Sequence, residues 1–187
     1  MSLRPAVSRA RIDVFLRRLA QDYRQPARLY LVGGTSLVFE RLRPQTLDID
    51  LTIEVAADRH GELIAAIRAI KDALGFNIEE VSPADFIPLP VGFQNRHEFI
   101  GRFGLIDVFH FDWYSAALSK IERGRRQDLA DVLTVLEHKR LVWSELERMY
   151  QEILPLIGKK SLKQDPQAFA LNFQALITLW HSAGGMH

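Results

Sequence analysis

Apolar positions recur at helical spacing over residues 8–23, where Ile12, Phe15, Leu16, Leu19 and Tyr23 share one face and Ser8 stands at the capping position. The run Leu29-Tyr30-Leu31-Val32, stopped by Gly33-Gly34, reads as a buried strand ending in a tight turn. Thr35 and Ser36 then open a short helix over residues 37–42 that breaks before Pro44. Strict alternation through 48–54 predicts a strand with acids on one face and Ile49, Leu51 and Ile53 on the other. A helix over 60–74 ends at Gly75, a strand follows at 77–81, and prolines mark 83–90 as a loop. Residues 97–102 and 105–111 form the arms of a hairpin turned around Phe103-Gly104. Beyond Asp112 every pattern is helical: 113–123, 127–140, 142–154, and a last helix capped by Asp165 with Pro166 at its first position.

Short strands mixed with helices, then helices alone, predict an α+β protein: a small mixed β-sheet flanked by helices, with a C-terminal helical region. The boundary falls at 122/123, giving a core of 1–122 with its N-terminal helix and a helical region of 123–187. At 187 residues the chain is long enough to build its own core without staples. It has no cysteine, which removes disulfides, thiolate nucleophiles and thiolate metal sites together. A reducing cytoplasm is the expected setting, and no apolar run long enough to span a membrane occurs. Lys and Arg total 24 against 23 Asp and Glu, so the net charge of +1 gives no global field for a polyanion. Charge is nevertheless uneven. Seven arginines lie between Arg4 and Arg28 against Asp13 and Asp22, a pattern that serves an acidic partner or simply solvates a helix face.

Asp48-x-Asp50 is the spacing that carries chemistry. Side chains at i and i+2 of a strand share a face about 6.5 Å apart, close enough for two carboxylates to hold one divalent cation or bridge two. The alternative is that both acids only solvate an open sheet face. Two other features bear on that choice. Gly33-Gly34-Thr35-Ser36 lies at a strand-to-helix turn, where free backbone amides favour a phosphate. Asp107 interrupts the apolar run Leu105-Ile106-Asp107-Val108-Phe109, where a carboxylate needs a partner, and a shared metal would supply one. His97, His110 and Asp112 are site-like by type, with His110, between Phe109 and Phe111, reading as structural. No zinc, serine-hydrolase or phosphate-loop NTPase motif occurs.

The stretch Leu31-Val32-Gly33-Gly34-Thr35-Ser36-Leu37, followed by Arg43-x-x-Thr46-x-Asp48-Ile49-Asp50-Leu51, resembles the signature of the DNA polymerase β-like nucleotidyltransferase superfamily. It looks like the branch holding the AbiEii-type toxins of bacterial abortive-infection systems. A second block, Lys120 through Arg123, Arg125, Arg126, Gln127-Asp128 and Asp131, is similar to that branch's helical motif, with Gln127-Asp128 where Lys-Asp is usual. The resemblance covers roughly residues 29–135.

It implies a Mg²⁺-dependent nucleotidyltransferase core that moves NMP from an NTP to a hydroxyl of RNA, tRNA included, or of protein. Asp48, Asp50 and Asp107 would hold two Mg²⁺ ions, with Mn²⁺ as a substitute. Gly33, Gly34, Thr35 and Ser36 would cradle the triphosphate and Lys120 would meet its phosphates, the alternative being a solvated helix lysine. Asp128 would position the acceptor, or Asp128 and Asp131 would pair with Arg125 and its neighbours. A toxin–antitoxin or abortive-infection role with an antitoxin partner follows from the same branch. The alternative to an enzyme is a nucleotide-binding or regulatory module that keeps the fold and acts through a protein partner.

Overall fold

A computed structural model describes residues 6–159 and 164–185, so Arg4 of the basic N-terminal segment lies outside the described residues. The chain divides into two compact units. One is Met1–Ser82 with His97–Phe111, the other Pro83–Arg96 with Asp112–His187.

The first unit is built on five strands: β1 (Ala27–Leu31), β2 (Asp48–Glu54), β3 (Asn77–Glu80), β4 (Glu98–Phe103) and β5 (Ile106–His110), in the order β3-β2-β1-β5-β4. β1 runs antiparallel to β2 and parallel to β5. β2 is parallel to β3, and β4 pairs with β5 as the predicted hairpin. Alternation decides the two faces of this mixed sheet. Leu29, Leu31, Ile49, Leu51, Ile78, Ile106 and Val108 point into a core shared with Ile12, Phe15, Leu16 and Leu19 of α1 (Arg9–Asp22) and Leu63, Ile67 and Ile70 of α3 (His60–Leu74). Intervening residues face the other way, and Asp48, Asp50 and Asp107 are among them.

One local signal acts as read. Gly75 ends α3 in the left-handed conformation at φ 71°, its amide bonded to the Lys71 carbonyl. The parallel β2–β3 pairing then follows, because a helical crossover of this length returns the chain beside the strand it left. Two others differ. Ser8 precedes α1 without a side-chain capping bond. α2 (Gly33–Phe39) starts at the glycines themselves and stops three residues early, where Arg41 takes a positive φ of 61° and the Leu42 amide bonds back to the Leu37 carbonyl at 2.8 Å.

The second unit is helical: α4 (Trp113–Arg123), α5 (Arg126–Glu137), α6 (Trp143–Ile153) and α7 (Pro166–Ser182). α4 thus groups with the later helices, ahead of the 122/123 boundary drawn from sequence. Asp112, fully buried, caps α4 through the Tyr114 and Ser115 amides and holds the Arg96 guanidinium at 2.9 and 3.0 Å, so it is committed to structure. Asp165 caps α7 by accepting from the Gln167 amide at 2.9 Å. Tyr150 stacks on Phe173 at 3.8 Å between ring centroids, and Trp143 stacks on Phe173 from the same helix, α6. The Asn172 side chain donates to the Ile121 and Glu122 carbonyls just before Gly124. A Cβ on Gly124 would lie 2.1 Å from Asn172 Nδ2, and its φ is 63°, so this turn requires glycine twice over. Among the described residues no helix is long and apolar enough to cross a membrane.

Candidate active site

Asp48 and Asp50 project from β2 on the face opposite the core, both half-buried. Their backbone is fixed from α2: Thr35 Oγ1 accepts from the Asp50 amide at 2.8 Å and donates to the Asp48 carbonyl at 3.4 Å. The chain enters α2 through Gly33, whose φ of 56° admits glycine readily, and a Cβ there would sit 3.5 Å from Asp50 Oδ2. At Gly34 a Cβ would fall 2.7 Å from Thr46 Oγ1. The glycine therefore lets the segment before β2 close on α2. Val7 holds that segment from the other side through paired backbone bonds with Thr46 at 2.7 and 2.9 Å.

β3 brings residues that sequence reasoning missed. Its register sets Asn77 beside Asp48 and Glu79 beside Asp50. Asn77, nearly fully buried, donates from Nδ2 to Asp48 Oδ1 at 2.9 Å and also to Glu79 Oε1. One amide therefore offsets two carboxylates that would otherwise repel. The signal lay in the topology: a strand returning parallel to β2 must carry its same-parity residues on the face of Asp48 and Asp50.

Asp107 does not join them. It pairs in register with Arg28 of β1, and Arg28 pairs with Glu54, whereas the Val32 amide bonds the Asp50 carbonyl at 3.1 Å. Arg28 and Val32 are four residues apart, so Asp107 and Asp50 are separated by about 13 Å along the strands alone. The partner that Asp107 needs is Arg102, which makes a two-pronged ion pair at 2.6 and 3.0 Å and holds the carboxyl below its usual range. Asp107 lies on the same face of the sheet as Asp48 and Asp50 but at another height, which the apolar run around it does not reveal.

The nucleotide-cradle expectation changes as well. Thr35 is fully buried, and Ser36 is buried with its hydroxyl donating to the Leu31 carbonyl at 2.8 Å and lying 3.1 Å from His110 Nδ1. Both hydroxyls are used to position backbone. His110, buried against Phe39 and 2.9 Å from Glu40 Oε1, is structural as read.

In the helical unit, Lys120 is buried and neither meets solvent nor is free for phosphate. Its Nζ lies 2.6 Å from Asp131 Oδ2 and 3.3 Å from Asp128 Oδ1. Arg123 reaches the same Asp128 oxygen at 2.6 Å, and Gln127 donates to Asp131 Oδ1 at 3.0 Å. Asp128 and Asp131 therefore close a charge cluster with Lys120 and Arg123, rather than with Arg125.

On the sheet, the Tyr30 phenol is pushed up to about 12 by burial and by its hydrogen bond to Glu54. Between its ordinary 10.0 and about 12 the folded protein keeps a proton that the unfolded chain has released. Stability from this group is complete below that window and falls as pH rises through it. Denaturant titrations across that range should show the decline, and Tyr30→Phe should flatten it.

Among the described residues no three His, Asp or Glu side chains converge as a metal cage. What the sheet offers is a pair of carboxylates with a third, Glu79, on the adjoining strand, all hard oxygen donors suited to Mg²⁺. Residues 10–178 match the family described as nucleotidyltransferase of unknown function (DUF6036). The chain belongs to this family. Neither the curated proteins nor the solved structures contain a significant match. Membership in the nucleotidyltransferase family agrees with the general resemblance read from Gly33-Gly34 and Asp48-x-Asp50. In this member, the glycines let α2 and the segment before β2 approach the two acids.

Proposed function

We propose that the chain is a metal-dependent nucleotidyltransferase acting at Asp48 and Asp50, with Glu79 as the supporting acid. The observation that carries this reading is the pair Asp48–Asp50 on a rigid strand, its backbone pinned by Thr35 beside the Gly33–Gly34 turn. Mg²⁺ held by Asp48 and Asp50 would neutralise phosphate charge and favour ionisation of the attacking hydroxyl. Asn77 fixes the Asp48 carboxylate before substrate arrives, which lowers the ordering cost at the reacting centre. In the transfer, an acceptor hydroxyl oxygen bonds the α-phosphorus of an NTP, the bond to the β-phosphate breaks and pyrophosphate leaves. The hydroxyl proton passes to a carboxylate of the pair. RNA or protein supplies the hydroxyl. A toxin role with an antitoxin partner rests on the AbiEii resemblance alone.

A second reading, nucleotide binding without turnover through a protein partner, is favoured by Asp107 and Lys120 being engaged elsewhere. Titration calorimetry with each NTP plus Mg²⁺, followed by labelling of cellular RNA and protein with α-labelled NTP, separates the two. Transfer predicts a labelled acceptor and released pyrophosphate. Binding without label supports the module, and neither binding nor label overturns both.

A further inference from the structure

The sheet ends on β3, whose outer edge is bare among the described residues. The Val81 amide bonds the Leu51 carbonyl at 2.9 Å, so the odd-numbered residues of this segment turn their main chain toward β2. Ile78 and Glu80 therefore turn theirs outward, each with an N–H and a carbonyl that no strand meets. Such an edge is a template for another strand.

α3 overhangs the same edge. His60, Ile64, Arg68 and Lys71 recur at three- and four-residue intervals along one side of that helix, and with Ile78 and Glu80 they border a groove of about 390 Å³. Its floor is apolar, made by Leu51 and Ile53 of β2 and Ile67 of α3. Leu51, Ile67 and Ile78 belong to the core between the sheet and α3, so the groove opens on that side of the sheet. A strand added beside β3 would drop alternate side chains into it.

Charge selects the occupant. Arg68 is exposed and Lys71 half-buried, and neither makes an ion pair among the described residues. The groove's own carboxylate, Glu80, lies 3.3 Å from His60 Nε2. Two cations thus stand unmatched beside an apolar floor. A second copy does not suit them, because antiparallel pairing of two β3 edges would bring both α3 flanks, each with its Arg68 and Lys71, together.

We propose that the β3 edge and the α3 flank form a docking groove for an extended acidic segment of a partner protein, added to the sheet as a further strand. Its main chain would pair with Ile78 and Glu80, its apolar side chains would fill the groove, and its acidic ones would reach Arg68 and Lys71. The proposal is independent of the transfer reading, since Asp48, Asp50 and Glu79 project from the other face.

Fluorescence anisotropy on the full chain reads binding, with a labelled, capped peptide that alternates threonine with glutamate and leucine. Hydrogen exchange of the Ile78 and Glu80 amides reads strand addition, and the peptide should slow both. Arg68→Glu combined with Lys71→Glu should weaken binding about ten-fold. Neither side chain carries an ion pair among the described residues, so unchanged thermal unfolding is expected for this double variant. Lysine in place of glutamate in the peptide should weaken binding by about the same factor. The same side chains on an N-methylated backbone should not bind. Glu80→Pro removes an outward donor and no bond to β2, so it should abolish binding while Glu80→Ala retains it. No binding of the glutamate peptide, equal affinity of its N-methylated form or of the lysine peptide, or unslowed exchange at Ile78 and Glu80 overturns the proposal. A dimer seen by sedimentation whose formation blocks the peptide makes the occupant a second copy, and overturns it as well.

Discussion

Asp50→Asn should lower nucleotidyl transfer about a thousand-fold while leaving unfolding unchanged. The carboxylate is replaced by an isosteric amide on a strand whose backbone is held by Thr35, so shape is preserved and only charge is lost. A divalent ion at a transferring phosphate contributes several kcal/mol of charge stabilisation, and each 1.36 kcal/mol is a factor of about ten in rate. The informative comparison is Asp107→Asn. A three-acid site drawn from sequence spacing expects both variants to fail alike. The observed register expects Asp107→Asn to stay within about two-fold of wild type, because it breaks only an exposed pair with Arg102. Single-turnover rates with labelled NTP, together with Mg²⁺ titrations of each variant, distinguish the two. Equal losses at 50 and 107 would refute the assignment.

Lys120→Met is expected to act on stability, where the sequence motif points to the phosphates. Removing the ammonium takes from Asp128 and Asp131, both nearly fully buried, the cation they share. Breaking a buried pair from one side costs about 3–5 kcal/mol, which lowers the melting temperature of a chain this size by about 10 °C. Adding Asp131→Asn should recover a large part of that loss, since it removes one of the two buried carboxylates that the Lys120 ammonium neutralises. Differential scanning calorimetry of the single and double variants provides the check. An unchanged melting temperature with loss of NTP binding would instead return Lys120 to the phosphates.

These two cases show where the sequence was legible. Local chemistry fixes ends: Gly75 stops α3 in the left-handed conformation and Asp165-Pro166 starts α7, both as read, and Gly124 stops α4 in the same way as Gly75. Alternation gives faces, so Asp48 and Asp50 are placed together on the side away from Ile49, Leu51 and Ile53, as found. Height on the sheet is different, because it depends on pairing between strands far apart in sequence. Asp107 failed there, and Glu79 and Asn77 went unseen for the same reason. Lys120 shows a related limit: helical spacing puts Asp128 and Asp131 on one face, but only the packing of α4 on α5 shows that this face is buried around a lysine.

The order of the two units along the chain has a consequence for how the protein can be made and rearranged. The polypeptide changes unit at 82/83, 96/97 and 111/112, so residues 83–96 are synthesised before nearly all of the unit they complete. During translation that segment waits for α4 to α7 to emerge, while the sheet is finished as soon as β5 appears. No single break separates one module from the other. A gene fusion or truncation at 122/123 would strand α4 with the apolar side chains of Trp113, Leu118 and Ile121 uncovered by the helices that follow. Transplanting the sheet unit to another scaffold requires replacing the 83–96 excursion with a short linker between β3 and β4, in addition to ending the chain at Phe111.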